Sequence, residues 1–377
     1  MHLKEIRLRN FRNYIDENIK FHPKINWIFG DNAQGKTNLV EAIYLLMKGI
    51  SFRGNKEDWL KFQENHCYIQ GIFEEKGREF EVELNLSQNE NKKISINKEI
   101  IKNKSDILKL FHCVIFSPED LRLVKDGPYL RRKYIDYFIQ SAMPEYEKII
   151  KIYDRILLQR NNLLKYNQKS FYFKEQIRVL NHQFLEVGAE VLFLRKKYTD
   201  ILNALAKNIH RQLTWNKEDL LIIYDSPFIF LNSKQALSKE EIRENFIQAM
   251  KESFLADREK QVTTIGPHRD DLKIIINKMD IRYYASQGQQ RTAILSLKLS
   301  EMKLIENTFY RKPILLLDDI FSELDENRQE YLLQTMGDGQ IFITTINQWT
   351  EQNITSPSSA PRPAGTCATP SWGPATH

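Results

Sequence analysis

The chain has 377 residues, enough for two compact units at roughly 100–200 residues each, and its 42% hydrophobic content excludes global disorder. Lys and Arg number 55 against 49 Asp and Glu, a net charge of +6 that is compatible with a polyanionic partner without requiring one. No apolar run approaches the roughly 18 residues of a membrane-spanning helix, Met1-His2-Leu3-Lys4-Glu5 is no signal peptide, and Cys67, Cys113 and Cys367 lack metal-type spacing, so a cytoplasmic protein without structural zinc is expected.

Leu3, Ile6 and Leu8 set against Lys4, Arg7 and Arg9 predict an opening strand with one wet face. A second apolar run, Ile25 to Phe29, breaks at Gly30 and closes on Gly35-Lys36-Thr37. Helical spacing of Leu39, Ala42, Ile43, Leu46 and Met47 follows, with Gly49 as the stop. Period two over about 68–101, with Phe80, Val82, Leu84 and Leu86 on one face, predicts antiparallel strands and a turn at Gln88-Asn89-Glu90-Asn91. From 119 to about 214 the rhythm is helical: Ile149, Ile152, Tyr153 and Ile156 share a face, and Leu185, Ala189, Leu192, Lys196 and Tyr198 continue in another long segment. A strand at Leu220–Tyr224 and a helix from Lys239 to about Glu259 lead to β pattern at Thr263-Thr264-Ile265 and Lys273–Ile276. A long helix then opens at Ser286 and runs to about Asn307. The apolar strand Ile314–Leu317, a helix over about Glu326–Met336 and a strand at Ile341–Ile343 complete the pattern. Residues 351–377 hold no Lys and five of the 12 prolines, so 348–377 is read as a tail, flexible or not native.

The strand, loop and helix around Gly30–Asn38 match the phosphate-binding pattern G-x-x-x-x-G-K-[ST] in its required context. Gly30, Asp31, Asn32, Ala33, Gln34 and Gly35 turn backbone N–H groups inward, and the helix that follows adds its positive end. Lys36 supplies charge for the outer phosphates of ATP, and the Thr37 hydroxyl is placed to ligate Mg²⁺. An apolar strand delivers Asp318 as a second Mg²⁺ anchor, and Asp319 beside it can polarise the attacking water. Ser286, Gly288 and Gln289 at a helix mouth form another anion site that the first loop does not explain. Two anion sites, the second one helix before an acidic strand, are the arrangement of ABC-type ATPases, in which the second site completes a partner subunit's nucleotide pocket. Phe321-Ser322-Glu323-Leu324-Asp325 resembles the loop through which such ATPases sense the opposing site.

Eight segments, in order over residues 1–347, make the resemblance specific. They are Asn10-Phe11-Arg12-Asn13-Tyr14, Gly30 to Asn38, Ser51-Phe52-Arg53, Phe116 to Leu121, and Pro128 with Arg131-Arg132. Gly266-Pro267-His268-Arg269-Asp270-Asp271-Leu272, Ser286 to Arg291 and Leu317 to Asp325 complete the set. Together they resemble the RecF family of bacterial recombinational-repair ATPases, related to the SMC proteins. The resemblance implies an α/β fold: an ABC-type ATPase head of mixed β-sheets and flanking helices with an inserted α-helical arm. The expected domains are 1–118 with the phosphate loop, 119–255 as the arm, and 256–347 with the Ser286 segment and the acidic strand.

The same resemblance implies an ATP-dependent homodimer that clamps double-stranded DNA near single-strand gaps and ds/ss junctions, no membrane partner, and work with RecR and RecO to load RecA. Ser286, Gly288 and Gln289 would cap the partner's ATP, with Asp325 at the subunit boundary, and Arg53 resembles an arginine near the phosphates of the SMC group. The Gln that many ABC ATPases place between lobes has no counterpart around Ser117-Pro118-Glu119, and Thr344-Thr345 stand where a His is usual. Both departures suit a weak, slow, DNA-dependent ATPase used as a switch. A transporter ATPase subunit is the alternative, opposed by the long helical insertion and by Asp318-Asp319 in place of Asp-Glu. For DNA, the basic candidates are Arg7, Arg9 and Arg12, Lys92-Lys93, Arg131-Arg132-Lys133 and Arg195-Lys196-Lys197.

Overall fold

A computed structural model describes residues 1–31, 33–88, 92–228, 238–321 and 324–346. Asn32, residues 89–91 of the expected turn, residues 229–237, residues 322–323 and all residues from 347, including the expected tail at 348–377, lie outside the described residues. The chain forms two compact units, Met1–Asp120 with Met302–His377, and Leu121–Glu301.

In chain order the first unit opens with β1 (His2–Phe11), β2 (Tyr14–Lys20), β3 (Ile25–Phe29) and α1 (Lys36–Lys48). Then come β4 (His66–Glu75), β5 (Arg78–Ser87), β6 (Lys93–Ile96), β7 (Glu99–Ile100), α2 (Lys104–Leu110) and β8 (Cys113–Phe116). Leu3 and Ile6 are one residue out of strict alternation. A bulge between Leu3 and Glu5 absorbs the extra residue, so Leu3, Ile6 and Leu8 all face the core. The Gln340 side-chain amide takes over Leu3's ladder bonds there, accepting from its N–H (2.7 Å) and donating to its carbonyl (2.8 Å).

The second unit holds α3 (Arg122–Lys125), α4 (Pro128–Ala142), α5 (Tyr146–Tyr166), α6 (Phe173–Leu213), β9 (Leu220–Asp225) and α7 (Lys239–Lys260). β10 (Asp271–Ile276), β11 (Met279–Asp280), α8 (Ile281–Tyr284) and α9 (Gln287–Phe309) follow, α9 crossing the division at Glu301. The first unit then closes with β12 (Ile314–Leu317), α10 (Glu326–Met336) and β13 (Ile341–Thr345).

Two sheets build the first unit. One is six-stranded and antiparallel, in the order β2-β1-β4-β5-β6-β7. The other is parallel, in the order β3-β13-β12-β8, with Leu316 beside Phe342 and Ile343 beside Trp27. β12 and β13 are buried at every position, as a parallel sheet covered on both faces requires. Helix α1 packs between strands of both sheets through Leu39, Val40, Ile43, Leu46 and Met47 in one shared core. Its end is set by Gly49, whose N–H returns to the Leu45 carbonyl at 2.8 Å.

In the second unit α5, α6 and α7 bury Tyr153, Phe184, Val191, Ile242 and Phe246, with Tyr224 from the antiparallel sheet β11-β10-β9. Helix α6 alone is 41 residues, about 60 Å at 1.5 Å per residue. Two sequence expectations change here. Ile152, grouped by spacing with Ile149, Tyr153 and Ile156, is 49% exposed, because the buried stripe runs through Tyr146, Tyr153, Ile156 and Arg160. Thr263-Thr264-Ile265 is not a strand. Its polar groups serve a buried ion pair instead: the Arg160 guanidinium lies 2.8 Å from Asp257 Oδ2 and donates to the Thr263 hydroxyl at 2.7 Å, while Asp257 Oδ1 accepts the Thr264 N–H at 2.8 Å.

The segment Gly266–Leu272 is the hub that joins this unit's elements. Arg195 of α6 donates to the Pro267 carbonyl at 2.7 Å, Tyr224 of β9 donates to Asp270 at 2.6 Å, and Arg131 of α4 grips Asp271 with both arms at 2.7 and 3.0 Å. His268 Nε2 donates to the Thr263 carbonyl at 3.1 Å, which leaves Nδ1 to accept the Tyr153 hydroxyl at 2.7 Å. Burial, helped by Arg269 and Arg132, pushes the His268 imidazole down to about 4, so it stays neutral in the fold. The folded value lies below the unfolded one. Between pH 6.5 and 4 the unfolded chain therefore takes a proton that the folded chain refuses, and stability is lost as pH falls. Glutamine offers a donor and an acceptor without titrating. Urea denaturation is expected to show native stability dropping relative to His268→Gln by about 3 kcal/mol from pH 7 to pH 4. A pH-independent difference would contradict this.

Candidate functional site

The loop from β3 to α1 is shaped by one glycine above all. Gly35 has φ +99°, and a Cβ there would sit 2.6 Å from the Asn13 amide. Asn13 Nδ2 donates to the Gln34 carbonyl at 3.3 Å, Asn38 Nδ2 donates to Asn13 Oδ1 at 2.6 Å, and the Tyr14 hydroxyl donates to the Gly35 carbonyl at 3.1 Å. Across the loop, Gln34 Oε1 accepts the Asp31 N–H at 2.8 Å. The Lys36 ammonium lies buried inside the ring, donating to the Gly30 and Asp31 carbonyls at 2.8 and 3.0 Å. Gly30, Asp31, Ala33, Gln34, Gly35, Lys36, Thr37 and Asn38 thus form one cradle at the N-terminus of α1, and Asn32 lies outside the described residues.

The acidic strand reaches this cradle across the parallel sheet. Thr37 Oγ1 donates to Asp318 Oδ1 at 2.9 Å, joining residues 281 apart in sequence. Burial pushes the Asp318 carboxyl up to about 6, with the Asp319 charge adding to it and the bonds from Thr37 and Thr344 opposing. Asp319 adopts φ +55°, the left-handed region that aspartate tolerates better than most residues, and its N–H donates to Thr344 Oγ1 at 2.8 Å. That hydroxyl lies 3.1 Å from Asp318 Oδ1 and 3.2 Å from Asp319 Oδ1, so Thr344 sits between the two carboxylates and fixes their spacing. This threonine stands where the resemblance leads one to expect a histidine.

A second group was not grouped by sequence reading at all. Glu41, on α1 and wholly buried, accepts both arms of Arg12 at 2.9 Å, Arg53 Nε at 3.1 Å and the Ser51 hydroxyl at 2.5 Å. Arg53 also donates to Asn38, in the first turn of the same helix. One carboxylate thereby holds two guanidiniums beside the phosphate loop. The segments 10–14 and 51–53, far apart in sequence, meet here.

In the second unit, Ser286 caps α9 reciprocally with Gln289. The Ser286 N–H donates to Gln289 Oε1 at 2.9 Å, and the Gln289 N–H donates to Ser286 Oγ at 3.3 Å. Gln289 Nε2 donates to Glu218 at 2.9 Å, which locks the pair. A Cβ on Gly288 would meet nothing closer than Ser286 Oγ at 3.9 Å, and Ser286, Gln287 and Gly288 are exposed. Among the described residues no crowding requires glycine at 288.

Several basic candidates prove to be internal. Arg131 and Arg195 are buried and paired with Asp271 and Asp136, and Arg12 is held by Glu41. Burying a guanidinium without a carboxylate is too costly, so these arginines are structural. Arg7 and Arg9 share the exposed Asp16 carboxylate, and Lys196 pairs with Asp200. Among the described residues no helix is long and apolar enough to cross a membrane.

Residues 2–360 match the family model described as RecF/RecN/SMC N terminal domain. A DNA replication and repair protein RecF from Alkaliphilus oremlandii (strain OhILAs) is 39% identical over 355 residues, spanning 94% of this chain and 96% of the relative. A solved structure of the recombination mediator protein RecF-ATP in the RecFOR pathway superposes with a TM-score of 0.86 at 38% identity, covering 92% of each chain. The Smc head domain of Pyrococcus yayanosii, at 13% identity and a TM-score of 0.51 over 91% of this chain and 92% of that one, shows the fold alone to be that of the ABC-type ATPase heads. The chain belongs to the RecF family.

Proposed function

We propose that the protein is an ATP-dependent DNA-binding protein of recombinational repair, in which ATP joins two copies into a clamp on double-stranded DNA near single-strand gaps. The observation that carries the reading is the Thr37–Asp318 contact at 2.9 Å. It brings the phosphate loop and the acidic strand into one site, with a hydroxyl and a carboxylate as its donors. Such oxygen donors suit a hard divalent cation. Thr37 and Asp318 would hold Mg²⁺, whose positive charge would offset that of the phosphates.

The chain's own groups supply the rest. Gly35, Lys36 and Thr37 present N–H groups to the phosphates, and the Lys36 ammonium exchanges its loop carbonyls for phosphate oxygens. Asp319, held by Thr344, orients the attacking water. Asn38 and Arg53 stand at the rim. Ser286 and Gly288 face outward from the second unit, and an open glycine at a helix mouth is what close approach of another copy's triphosphate would use. Gln289 keeps Ser286 in place. The solved relative named as RecF-ATP supports ATP as the nucleotide, and the RecFOR pathway named with it supports RecR and RecO as partners. Thr344 in place of histidine supports slow hydrolysis that resets the clamp.

The test is light scattering of the native chain and Lys36→Arg in saturating ATP and Mg²⁺, with and without blunt duplex DNA. Native dimers that form with ATP and retain duplex, set against Lys36→Arg dimers that form but do not turn over, are the expected result. Single copies of the native chain under every condition would refute the clamp.

A further inference from the structure

The turn between α5 and α6 carries three aromatic rings with almost no cover. Phe171 is 89% exposed, Tyr172 62% and Tyr166 68%. The segment Lys165–Lys174 interleaves them with Lys165, Lys169 and Lys174 and contains no acidic residue. The rings are held in a defined array. Phe171 and Tyr172 stand edge to face, 5.3 Å apart at 88°, and the Lys165 ammonium lies 4.9 Å over the Tyr166 ring.

The turn beneath them is built. The Ser170 N–H donates to the Asn167 carbonyl at 3.0 Å and the Phe173 N–H donates to the Ser170 carbonyl at 3.1 Å. Gln168 Nε2 donates to the carbonyls of Leu164 on α5 and Arg258 on α7, both at 2.7 Å. Leu163, Leu164, Phe173 and Ile177 form a small core of their own below. Local packing therefore keeps exposed rings that gain nothing from the fold itself, the mark of a binding surface.

The charge decides what binds. Protein interfaces are enriched in aromatics but depleted of lysine at their centres. Lysines alternating with bare rings match phosphates alternating with bases. A duplex hides its base faces in the stack, and residues 167–172, between the end of α5 and the start of α6, form no helix or ribbon to enter a groove. We propose that the turn 165–174 is a stacking platform for unpaired DNA bases, with the three lysines on the backbone phosphates. This extends the DNA-binding reading above to the single strand, at a place remote in sequence from the phosphate loop and from Ser286.

The test is fluorescence anisotropy of the full chain with a labelled oligothymidine of about twenty nucleotides, alongside blunt duplex. At 1–3 kcal/mol per stacked base, Phe171→Ala with Tyr172→Ala is expected to weaken oligothymidine binding about thirtyfold. Phe171→Trp with Tyr172→Trp restores it. ATP turnover and blunt-duplex capture stay as in the native chain. Glutamine at all three lysines lowers the slope of log affinity against log salt by about 2. Native-like oligothymidine binding by the double alanine variant overturns the proposal. So does a double variant that loses only self-association, because the rings would then serve a second copy. Ring-dependent oligothymidine binding by a native chain that fails to capture duplex would instead leave the platform standing and remove the clamp.

Discussion

Ser286→Arg is expected to abolish ATP-dependent self-association while single copies still bind ATP and remain folded. The residue is exposed, and its capping bonds with Gln289 are local, so the fold loses about 1 kcal/mol. The proposed dimer would lose far more. Removing a donor to a charged oxygen costs about 1.5–3 kcal/mol, and forcing a longer side chain into a packed contact adds about 1–3 kcal/mol. A two-fold assembly suffers the lesion twice. The dissociation constant should therefore rise at least about a thousandfold, read by analytical ultracentrifugation in ATP and Mg²⁺. A variant that dimerises like the native chain would show that the helix mouth at 286–289 takes no part in joining the copies.

The second large effect is on stability. Glu41→Ala removes the carboxylate that holds Arg12, Arg53 and Ser51, and leaves two mostly buried guanidiniums facing each other without it. Breaking a buried pair from one side costs about 3–5 kcal/mol, and the residual exposure of both arginines points to the lower end, about 3 kcal/mol. Chemical denaturation should show this as a lower midpoint with an unchanged slope. Glu41→Gln keeps an acceptor but not the charge, and should fall between alanine and native. If Glu41→Ala matched the native midpoint, the cluster would be a surface decoration rather than a strut beneath the phosphate loop.

How much of this was legible beforehand divides by sequence distance. The phosphate loop and the helix behind it are local, written into Gly35, Lys36, Thr37 and the spacing from Leu39 to Met47, and the structure follows them closely. The placement of Asp318 and Asp319 directly after β12 was readable because an apolar strand can deliver its last residue to only one end of a sheet. Pairing of side chains from remote segments was not readable. Nothing within a window of residues 10–14 or 51–53 announces that both arginines end on Glu41. The bulge at Leu3 hid a regular inward face behind irregular spacing, and Ile152 kept the right period on the wrong stripe. Arg131 and Arg195 read as free charge because their carboxylates lie 140 and 59 residues away. Thr344 carried the faintest signal, an absence where another residue was anticipated.

The place of β3 in its sheet has a consequence for how the molecule comes into being. Its sheet neighbour is β13, so residues 25–29 hydrogen-bond with residues 341–345. During synthesis the first strand of the phosphate loop must wait, unpaired on that side, until more than three hundred further residues have left the ribosome. The intervening unit, Leu121–Glu301, is continuous and can settle first. Nascent chains stalled before residue 341 should then contain a finished middle and an unfinished cradle, unable to hold a triphosphate. Among the described residues, the site around the phosphate loop is thus begun early and completed late.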